Sequence, residues 1–491
     1  MSAIKLKDLL YINGEWHQGD APPQEVINPA DESLIGMAPV ASKEQAEEAI
    51  RAARDAFDQG PWPTMGMAER VGIMQKIHDH IYARKKELVE LIRMETGCTS
   101  QLSEFLQFEL AMKHARQLMA DALHIRSEMV APEVTPSFTG GKSLGTAEIV
   151  YEPVGVVSAI TAYNFPFILN VGKLFHALTM GNTAILKPSP FTPFEAFVFG
   201  EAAQSAGLPK GVLNIVNGDI ETGTILSSDS GVDMVTFTGS DKVGSAIMSQ
   251  AAQTLKKIHM ELGGKSALIV RADADIQEAA LAAVGGFTVH AGQGCALTTR
   301  ILVHESIRKP LVDAMTAMLS QMKVGNPVDP TVSMGPLIRA SARDRVERYV
   351  SHAEAEGAKL AFGGRRPRIE KGFYFQPTLF DNIDNNAKIA QEEIFGPVGV
   401  IIGFASDQEA INIANHSDFG LSGGIFSTNV GEAYEMARQI RTGGVAINGG
   451  AGTMLSSAPF GGYKRSGFGR EYGRHGLLDF TQSKTISFHA G

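Results

Sequence analysis

The sequence predicts an α/β protein with two α/β domains and a small β-arm. Short apolar runs alternate with helical patterns from Val154 onward, and a second such series begins at Ser266. This alternation is typical of right-handed βαβ units, in which helices cover both faces of a parallel sheet. A chain of 491 residues is also too long for one ordinary core, which favours two to three domains.

The N-terminal part is predicted to be mostly helical. Ser42 can cap a helix that runs to Gln59, and two longer helical patterns follow at residues 67–95 and 100–123. Gly97 lies between these two patterns and is expected to end the first one. The polar stretch 127–148 and the strand-like tail 484–489 belong to neither α/β series. They are candidates for a shared β-arm.

Composition excludes several classes of function. The 44 basic and 53 acidic residues give a net charge of −9, which is too mild and too dispersed to indicate a nucleic-acid partner or a membrane surface. Two stretches without charge, 153–172 and 279–299, are interrupted by proline or glycine and are expected to be buried interior rather than membrane spans. A small-molecule substrate fits this composition better.

The two cysteines, Cys98 and Cys295, are too few for a disulfide framework and favour a reducing compartment. The N-terminus lacks the apolar segment of a secretory signal, so we expect a cytoplasmic location. A free cysteine is usually a small buried hydrophobe, and Cys98 between two helical patterns is interpreted in that way. Cys295 follows Gly292-Gln293-Gly294, and glycines that contribute nothing to a core leave room for a substrate to reach the sulfur.

A candidate phosphate site follows the apolar strand 234–237. Gly239, Ser240 and Gly244 lie where this strand leads into a helix, and the free N–H groups of a helix N-terminus favour a phosphate. The motif is not a G-x-G-x-x-G fingerprint, and taken alone it is more often an ordinary tight connection. Lys187 ends a preceding strand at the edge where parallel sheets bind ligands, although a solvated lysine before a turn is the alternative.

Two polar residues are candidates for catalysis. Glu261 ends an apolar strand beside two glycines, where burial would raise its pKa and make it a usable general base. A salt bridge to Lys265 or a surface turn is the alternative. Asn164 lies in an uncharged run, and its amide could donate to a developing oxyanion, or it could simply form a turn before Pro166.

Taken together in this order, these fragments resemble the aldehyde dehydrogenase superfamily, of the hydrolytic NAD(P)-dependent type. The match continues to Glu392-Glu393-Ile394-Phe395-Gly396-Pro397 and to Pro459-Phe460-Gly461-Gly462. It covers nearly the whole chain. The resemblance therefore carries the functional interpretation, which no single motif carries alone.

The resemblance implies a Rossmann-like NAD(P)-binding domain, an α/β catalytic domain and a β oligomerisation arm, assembled as a homodimer or homotetramer. We expect residues 1–126 and 149–262 in the first domain, 263–480 in the second, and 127–148 with 481–491 in the arm. An aldehyde is the implied substrate, NAD the implied cofactor, and no metal is expected.

The resemblance also assigns roles. Cys295 would be the nucleophile, Asn164 with the Cys295 backbone N–H would form the oxyanion hole, and Glu261 would deprotonate the water that hydrolyses the thioester. The remaining predicted cofactor residues hold the ribose hydroxyls, the pyrophosphate and the nicotinamide half, and are Lys187, Ser189, Gly239, Ser240, Gly244, Glu393 and Phe395.

One departure from the family concerns the cofactor. NAD-specific relatives often carry a glutamate three residues after the lysine, and this chain has Pro190 there. The missing carboxylate removes repulsion against a 2′-phosphate, and Ser189 could donate a hydrogen bond to it. We therefore predict NAD use with NADP possible.

A second departure concerns the substrate. Gly172 stands where relatives that act on small aldehydes often have tryptophan, which indicates a roomy apolar pocket for a bulky, hydrophobic or aromatic aldehyde, or alternatively close helix packing. Betaine aldehyde is disfavoured because the two tryptophans, Trp16 and Trp62, lie far off in sequence. The residues predicted to line the pocket are Phe165, Leu169, Gly172, Gly294, Ala296, Met454 and Phe460.

Two rival functions remain open. A coenzyme A-acylating dehydrogenase would resemble this chain but typically lacks a glutamate at the Glu261 position. A non-catalytic structural protein of the crystallin kind would be favoured by loss of Cys295, Glu261 or Asn164, and all three are present.

Overall fold

The computed structural model describes residues 6–137, 140–450 and 455–490, with the side chains of the last two left aside. The strands up to residue 261 are β1 (Leu10–Ile12), β2 (Glu15–His17), β3 (Ala21–Ile27), β4 (Leu34–Val40), β5 (Glu128–Pro136), β6 (Lys142–Pro153), β7 (Val156–Ile160), β8 (Thr183–Lys187), β9 (Leu213–Ile215), β10 (Met234–Thr238) and β11 (Lys257–Glu261). The later strands are β12 (Ala267–Val270), β13 (Arg300–His304), β14 (Lys359–Phe362), β15 (Thr378–Asp381), β16 (Val398–Phe404), β17 (Phe419–Gly420), β18 (Gly423–Phe426), β19 (Ala446–Ile447), β20 (Tyr463–Lys464), β21 (Gly467–Phe468) and β22 (Thr481–Ala490).

The α-helices are α1 (Lys43–Asp58), α2 (Met67–Ala83), α3 (Lys85–Thr96), α4 (Leu110–Ala122), α5 (Pro166–Thr179), α6 (Val198–Ala206), α7 (Ile220–Ser228), α8 (Asp241–Ala251), α9 (Ile276–Thr288), α10 (Arg308–Gln321), α11 (Ala340–Ala355), α12 (Lys388–Gln391), α13 (Asp407–Asn415), α14 (Val430–Ala437) and α15 (Gly473–Asp479). A π-helix covers Leu102–Glu109, and short 3₁₀ turns lie at Phe194–Phe197, Ala252–Thr254, Val289–Gly292 and Glu305–Ile307.

The first sheet has eight strands in the order β2-β1-β9-β8-β7-β10-β11-β21. Its strands from β9 to β11 are parallel, as the alternation of strand and helix predicts. The chain proceeds from β7 to β8 and β9 on one side, and then returns to place β10 on the other side of β7. Ligands of open parallel sheets bind at the carboxyl edge of such a reversal point.

The second sheet has seven strands in the order β14-β15-β16-β13-β12-β18-β19, and all but β14 are parallel to their neighbours. Hydrophobic clusters lie on both faces of each sheet. In β7, for example, Val157 and Ala159 contribute to one cluster while Val156 and Ile160 contribute to another. Successive side chains of a strand point to opposite faces, so both faces are covered.

The predicted β-arm is one sheet of three antiparallel strands in the order β22-β6-β5. The domain boundaries drawn from the resemblance stay a prediction. The short strand β21 comes from the part assigned to the catalytic domain. It nevertheless pairs with β11 at the edge of the first sheet, across the predicted boundary.

The local signals in the N-terminal half are partly confirmed. Ser42 caps α1 with a capping box that includes Gln45, and Gly97 ends α3 with a φ of 69°. The predicted single helix at 67–95 is wrong, because the chain breaks at Arg84, which pairs with Glu87 and Glu201. The predicted helix at 100–123 begins as the π-helix. No described helix is long and apolar enough to cross a membrane.

Candidate active site

The catalytic candidates meet at the carboxyl edge of the first sheet. Asn164 follows β7, Gly239 follows β10, and Glu261 is the last residue of β11. Cys295 comes from the second α/β series, in the loop after α9. The Cys295 loop packs against the segment that follows β11. A Cβ atom added at Gly264 in that segment would lie 2.4 Å from the Cys295 carbonyl oxygen.

Asn164 is fixed in place by hydrogen bonds to both its side chain and its backbone. Its side-chain Nδ2 donates to the backbone oxygen of Gln293 at 2.8 Å, and its own backbone oxygen accepts from Gln107 Nε2 at 3.1 Å. The residue is 3% exposed. An amide nitrogen carries two hydrogens, so one N–H remains available for an oxyanion beside the Cys295 loop.

The Cys295 loop has an unusual backbone that glycine makes possible. Gly292 adopts a φ of 72°, and a Cβ atom there would lie 2.1 Å from the Gly396 carbonyl oxygen, so only glycine fits both the conformation and the space. Buried Gln293 then anchors the loop, donating to the His290 oxygen and accepting from the Ile338 backbone N–H. The loop therefore has a single defined position before Cys295.

Cys295 is partly exposed, unlike its buried neighbours Gly292 and Gln293. Burial raises the pKa of its thiol to about 12, and the carboxylates of Glu261 and Glu393 add to that effect. Its own backbone N–H and that of Ala296 act in the opposite direction. The sulfur is thus a protonated thiol that needs a base before it can act as a nucleophile.

Glu261 is a buried carboxyl group without a hydrogen-bond partner. Neither of its side-chain oxygens is hydrogen-bonded within the described part of the chain, and the His259 Nε2 atom lies 3.5 Å from Oε1. Burial raises the pKa of Glu261 well above its usual value, Glu471 adds to the rise, and Lys173 opposes it. A buried, unpartnered carboxyl with a raised pKa has the properties of a general base.

A buried ion pair lies behind Glu261. Lys173 Nζ donates to Glu471 Oε1 and to Thr236 Oγ1, both at 2.9 Å. The ammonium and carboxylate groups are 0% and 2% exposed. Each charge thus has its counter-ion in the interior, and the pair helps to set the electrostatic potential at Glu261.

Two predicted cofactor residues lie at the carboxyl end of β8, where Lys187 is the last residue of the strand and Ser189 follows it. Lys187 is 5% exposed, and its Nζ donates only a long bond, 3.4 Å, to the Pro188 oxygen within the described residues. Burial lowers the pKa of Lys187 to about 8, and Asp219 opposes this. Ser189 is buried, and its hydroxyl oxygen accepts from the Phe191 N–H at 3.3 Å.

The turn after β10 and the start of α8 contain the three residues of the predicted phosphate site. Ser240 is the N-cap of α8 and accepts from the Val243 N–H at 3.3 Å. The Gly239 N–H donates to the backbone oxygen of Glu261 at 3.1 Å, so the turn is bonded to the end of β11. Gly244 lies within α8, where a Cβ atom would be 2.7 Å from Leu262. Gly244 therefore allows α8 to pack closely against Leu262, the residue directly after β11.

Glu393 and Phe395 approach the site from the second α/β series. Glu393 Oε1 accepts from the Gly264 N–H at 2.9 Å, and burial raises the pKa of Glu393 to about 7. Phe395 adopts a φ of 54°, and its ring lies edge-on to Tyr163 at 6.0 Å. Both residues therefore lie near the loops that carry Asn164 and Cys295.

The predicted pocket residues lie on three segments. Phe165 and Leu169 are half-buried, and the Phe165 ring lies 5.3 Å from that of His290. Gly294 and Ala296 flank Cys295, and Phe460 exchanges two backbone hydrogen bonds of 2.8 Å with Glu471. Gly172 is buried within α5. Met454 lies outside the described residues.

Comparison with known proteins decides the family. A family model described as "Aldehyde dehydrogenase family" matches residues 16–486. A putative aldehyde dehydrogenase of Staphylococcus haemolyticus is 37% identical over 481 residues, which cover 97% of this chain and 98% of the relative. The chain belongs to the aldehyde dehydrogenase family.

Solved aldehyde dehydrogenases share the fold. An enzyme from Mycobacterium tuberculosis complexed with NAD+ has a TM-score of 0.91 and 40% identity, covering 98% of this chain and 97% of the other. Betaine aldehyde dehydrogenase from Staphylococcus aureus in complex with NAD+ has a TM-score of 0.93 and 36% identity, with coverage of 99% and 95%. An indole-3-acetaldehyde dehydrogenase variant from P. syringae has a TM-score of 0.93 and 33% identity, with coverage of 99% and 97%.

Sequence reasoning missed several residues of this aldehyde dehydrogenase site. Lys173 is the single charge in the helix α5, and that isolation is a signal that could have indicated a buried ion pair. Gln107 and Gln293 hold Asn164 and the Cys295 loop, but glutamines are frequent on surfaces and give no such signal. Tyr472 lies beside Gly172, and nothing in the sequence indicates a contact across 300 residues.

Proposed function

We propose that this aldehyde dehydrogenase oxidises an aldehyde to a carboxylic acid with NAD(P), through a thioester on Cys295 that water hydrolyses with Glu261 as general base. The unpartnered, buried Glu261 carboxyl beside the Cys295 loop is the observation that carries this proposal. A structural carboxylate would be hydrogen-bonded, whereas a base that must accept a proton from water needs a free lone pair.

The residues of the chain perform the covalent steps. The partly exposed Cys295 thiol gives its proton to solvent water, and the thiolate sulfur attacks the aldehyde carbon. The remaining N–H of Asn164 and the Cys295 backbone N–H stabilise the oxyanion that forms. This adduct must lose a hydride to become the thioester, and a bound NAD(P) would supply the acceptor for it. Glu261 then takes a proton from water, the hydroxide displaces the sulfur from the thioester carbon, and the acid leaves.

The residues predicted to hold the cofactor fit a dinucleotide. Among the residues that the structure describes, the Lys187 ammonium group makes only one weak hydrogen bond, and Glu393 has one oxygen bonded to the Gly264 N–H. Both groups can bond ribose hydroxyls. At the N-terminus of α8 the Val243 and Lys242 N–H groups donate to the side chains of Ser240 and Asp241, so a pyrophosphate would take the place of these side-chain acceptors. Relatives solved with NAD+ support the same assignment.

Tolerance of NADP follows from the absence of a carboxylate at Pro190. Gln24 Nε2 donates to the Pro190 oxygen at 3.1 Å, so this turn carries a neutral amide close by. A 2′-phosphate would meet no negative side chain on residues 188–190. Comparing kcat/KM for the two cofactors tests this, and a value with NADP below about a hundredth of that with NAD would overturn it.

A bulky, hydrophobic or aromatic aldehyde is the proposed substrate class. Neither tryptophan can form a cage for the quaternary ammonium of betaine aldehyde, because Trp62 is fully buried and Trp16 packs on Tyr11 with ring centroids 4.9 Å apart. The similar P. syringae enzyme acts on indole-3-acetaldehyde by its name, which is a bulky aromatic aldehyde. A preference for acetaldehyde over benzaldehyde and octanal would contradict the proposal.

Assembly into a homodimer or homotetramer through the β-arm is also proposed. The arm exposes several large hydrophobic side chains, which in a monomer would face water. They are Met129, Val130, Val134, Leu144, Ile486 and Phe488. A cytoplasmic location stays a prediction.

Product analysis separates the proposed function from its closest rival. The enzyme is incubated with benzaldehyde and NAD, with and without coenzyme A, and the products are separated by chromatography. We expect benzoic acid in both reactions, because Glu261 activates water. Benzoyl-coenzyme A as the main product would establish the acylating rival, and absence of any NADH with all aldehydes would favour the structural rival.

A further inference from the structure

The space next to Gly172 is occupied by a tyrosine from the other end of the chain. A Cβ atom added at Gly172 would lie 3.0 Å from the Tyr472 hydroxyl oxygen and 3.7 Å from Glu471 Oε2. Gly172 belongs to α5, the helix that begins directly after Asn164 and carries Phe165 at its N-cap. The phenol oxygen of Tyr472 therefore lies against α5, the helix that is predicted to form one wall of the aldehyde pocket.

Tyr472 is held in this place by a strained backbone. Its φ of 63° and ψ of 162° fall in a region that glycine adopts almost alone. The Tyr472 N–H donates to His176 Nε2 at 2.9 Å, and the preceding residue, Glu471, is bonded on both sides to Phe460. The ring is edge-on to His114, with centroids 4.5 Å apart. Such strain persists where the surrounding structure imposes it, and it concentrates at functional sites.

The hydroxyl group of Tyr472 has no partner in the described part of the chain. More than nine-tenths of the residue is buried, and no described residue exchanges a hydrogen bond with its oxygen. Of the polar atoms nearby, His176 Nε2 accepts from the Tyr472 backbone and Glu471 Oε1 accepts from Lys173, while Glu471 Oε2 lies on the same side of Gly172 as the phenol. The residue is mostly buried, but its hydroxyl oxygen is not fully enclosed, so a ligand can reach it as a hydrogen-bond partner.

Burial and two neighbouring carboxylates keep the Tyr472 hydroxyl protonated. Burial raises the pKa of Tyr472 well above its usual value, and the carboxylates of Glu471 and Glu261 add to the rise. The group thus lies within electrostatic range of the general base. It can both donate and accept a hydrogen bond at any pH at which the enzyme works.

We propose that the Tyr472 hydroxyl is a specificity-determining group, which hydrogen-bonds an alcohol group carried by a ring substituent of an aromatic aldehyde. This inference rests on the proposed function and narrows its substrate class, from bulky hydrophobic aldehydes to aromatic aldehydes that carry an alcohol group away from the carbonyl. Gly172 serves this role by leaving room for the phenol oxygen rather than for the substrate alone.

Matched substrates test the inference. 4-(Hydroxymethyl)benzaldehyde and 4-ethylbenzaldehyde have nearly the same shape and no ionisable group, and the 3-substituted isomers form a second pair. We expect kcat/KM to favour the hydroxymethyl member of at least one pair by about tenfold in the wild type, and this ratio to fall to about one in Tyr472→Phe. The electronic effect of the substituent cancels when the two enzymes are compared.

Three further measurements separate specificity from a merely structural role. Tyr434→Phe, at an exposed tyrosine on α14, should leave the ratio unchanged. Gly172→Ala keeps the phenol but crowds its oxygen, and should lower the ratio by a smaller factor than Tyr472→Phe. Thermal unfolding should give similar Tm values for wild type and Tyr472→Phe, and a large loss of Tm with an unchanged ratio would establish a structural role and overturn the inference.

The remaining outcomes are equally distinct. If Tyr472→Phe lowers kcat/KM for every aldehyde by the same factor, the phenol acts in the chemistry or the fold and the specificity inference is wrong. If the wild type prefers the ethyl member of both pairs, the inference is wrong while the proposed function stands. Among these measurements, failure of the wild type to oxidise any aldehyde is the result that contradicts the proposed function itself.

Discussion

Each of the two cysteines has a buried glutamate in its neighbourhood, and the two neighbourhoods differ in how their polar atoms are satisfied. Glu95, three residues before Cys98, accepts backbone N–H groups of Phe194 and Glu195 at 2.8 and 3.1 Å. Glu261, near Cys295, has no hydrogen-bonded oxygen among the described residues. Burial raises the pKa in all four cases, to about 8 for Glu95 and about 11 for Cys98. Unused hydrogen-bonding capacity, rather than a shifted pKa, therefore distinguishes Glu261 from Glu95.

The largest expected effect on activity comes from replacing each cysteine by alanine in a separate variant. Cys295→Ala should lower aldehyde oxidation by on the order of 10⁴-fold or more, because the nucleophile is lost. Cys98→Ala should leave kcat/KM within about twofold and lower the free energy of unfolding by about 1 kcal/mol, because a fully buried sulfur leaves a small cavity. Steady-state NADH formation and urea unfolding measure the two effects. A similar loss of activity in both variants would remove the distinction.

Asn164 should give the next largest effect. Asn164→Ala removes a side-chain donor to the oxyanion, and we expect kcat to fall by about 10²- to 10³-fold with little change in cofactor affinity. Its control is Asn326→Ala, at an exposed loop residue, which should have wild-type kinetics. If Asn164→Ala instead raised KM alone, the amide would bind the substrate without stabilising the oxyanion.

The pH dependence of turnover tests the role of Glu261. A base acts in its ionised form, and burial raises the pKa of Glu261. Hydrolysis of the thioester should therefore be slow at low pH and should accelerate by about tenfold per pH unit until the raised pKa is passed. Single-turnover release of acid between pH 6 and 9.5 measures this rise. The same rise in Glu261→Gln would assign it to another group.

Much of the site could be predicted from local sequence, and the missing parts have a common physical reason. Cys295, Glu261 and Asn164 lie at ends of apolar strands or in glycine-rich loops, where a polar residue stands out against its neighbours. Lys173 and Glu471 form a pair 298 residues apart, and nothing near Glu471 in sequence indicates that it is buried. Contacts of this kind depend on the packing of α5 against the C-terminal segment.

The fold shows the same division. Parallel strands and their helices follow from the spacing of apolar residues, and both sheets have the predicted character. The break between α2 and α3 at Arg84 could not be predicted, because the helical pattern continues without a proline or glycine. The ion pair of Arg84 with Glu201 on α6 forms only when the tertiary structure is present.

The smallest expected effect concerns stability in the Cys98 region. Burial raises the pKa of Glu95 from 4.5 to about 8, so the folded protein holds this proton more tightly than the unfolded chain. The stability from this group is present at low pH and is lost as pH rises from 4.5 toward 8. Glu95→Gln should be less stable at pH 5 by about 1 kcal/mol, because one backbone hydrogen bond is weakened. Its Tm should fall less than that of the wild type between pH 5 and 8.

The surface variant Glu354→Gln is the control for this measurement, since its side chain is exposed on α11. It should follow the wild-type Tm at every pH. A parallel decline in wild type and Glu95→Gln would show that other groups cause the loss of stability. In that case Glu95 would differ from Glu261 in its hydrogen bonds only.

The central claim is that Cys295 carries the acyl group and Glu261 releases it. Glu261→Gln is mixed rapidly with benzaldehyde and NAD, and NADH formation is followed together with the intact mass of the protein. We predict a burst of about one NADH per subunit, slow turnover afterwards, and a benzoyl group on the peptide that contains Cys295. An acyl group on Cys98, or a burst without any acylated protein, would contradict the account.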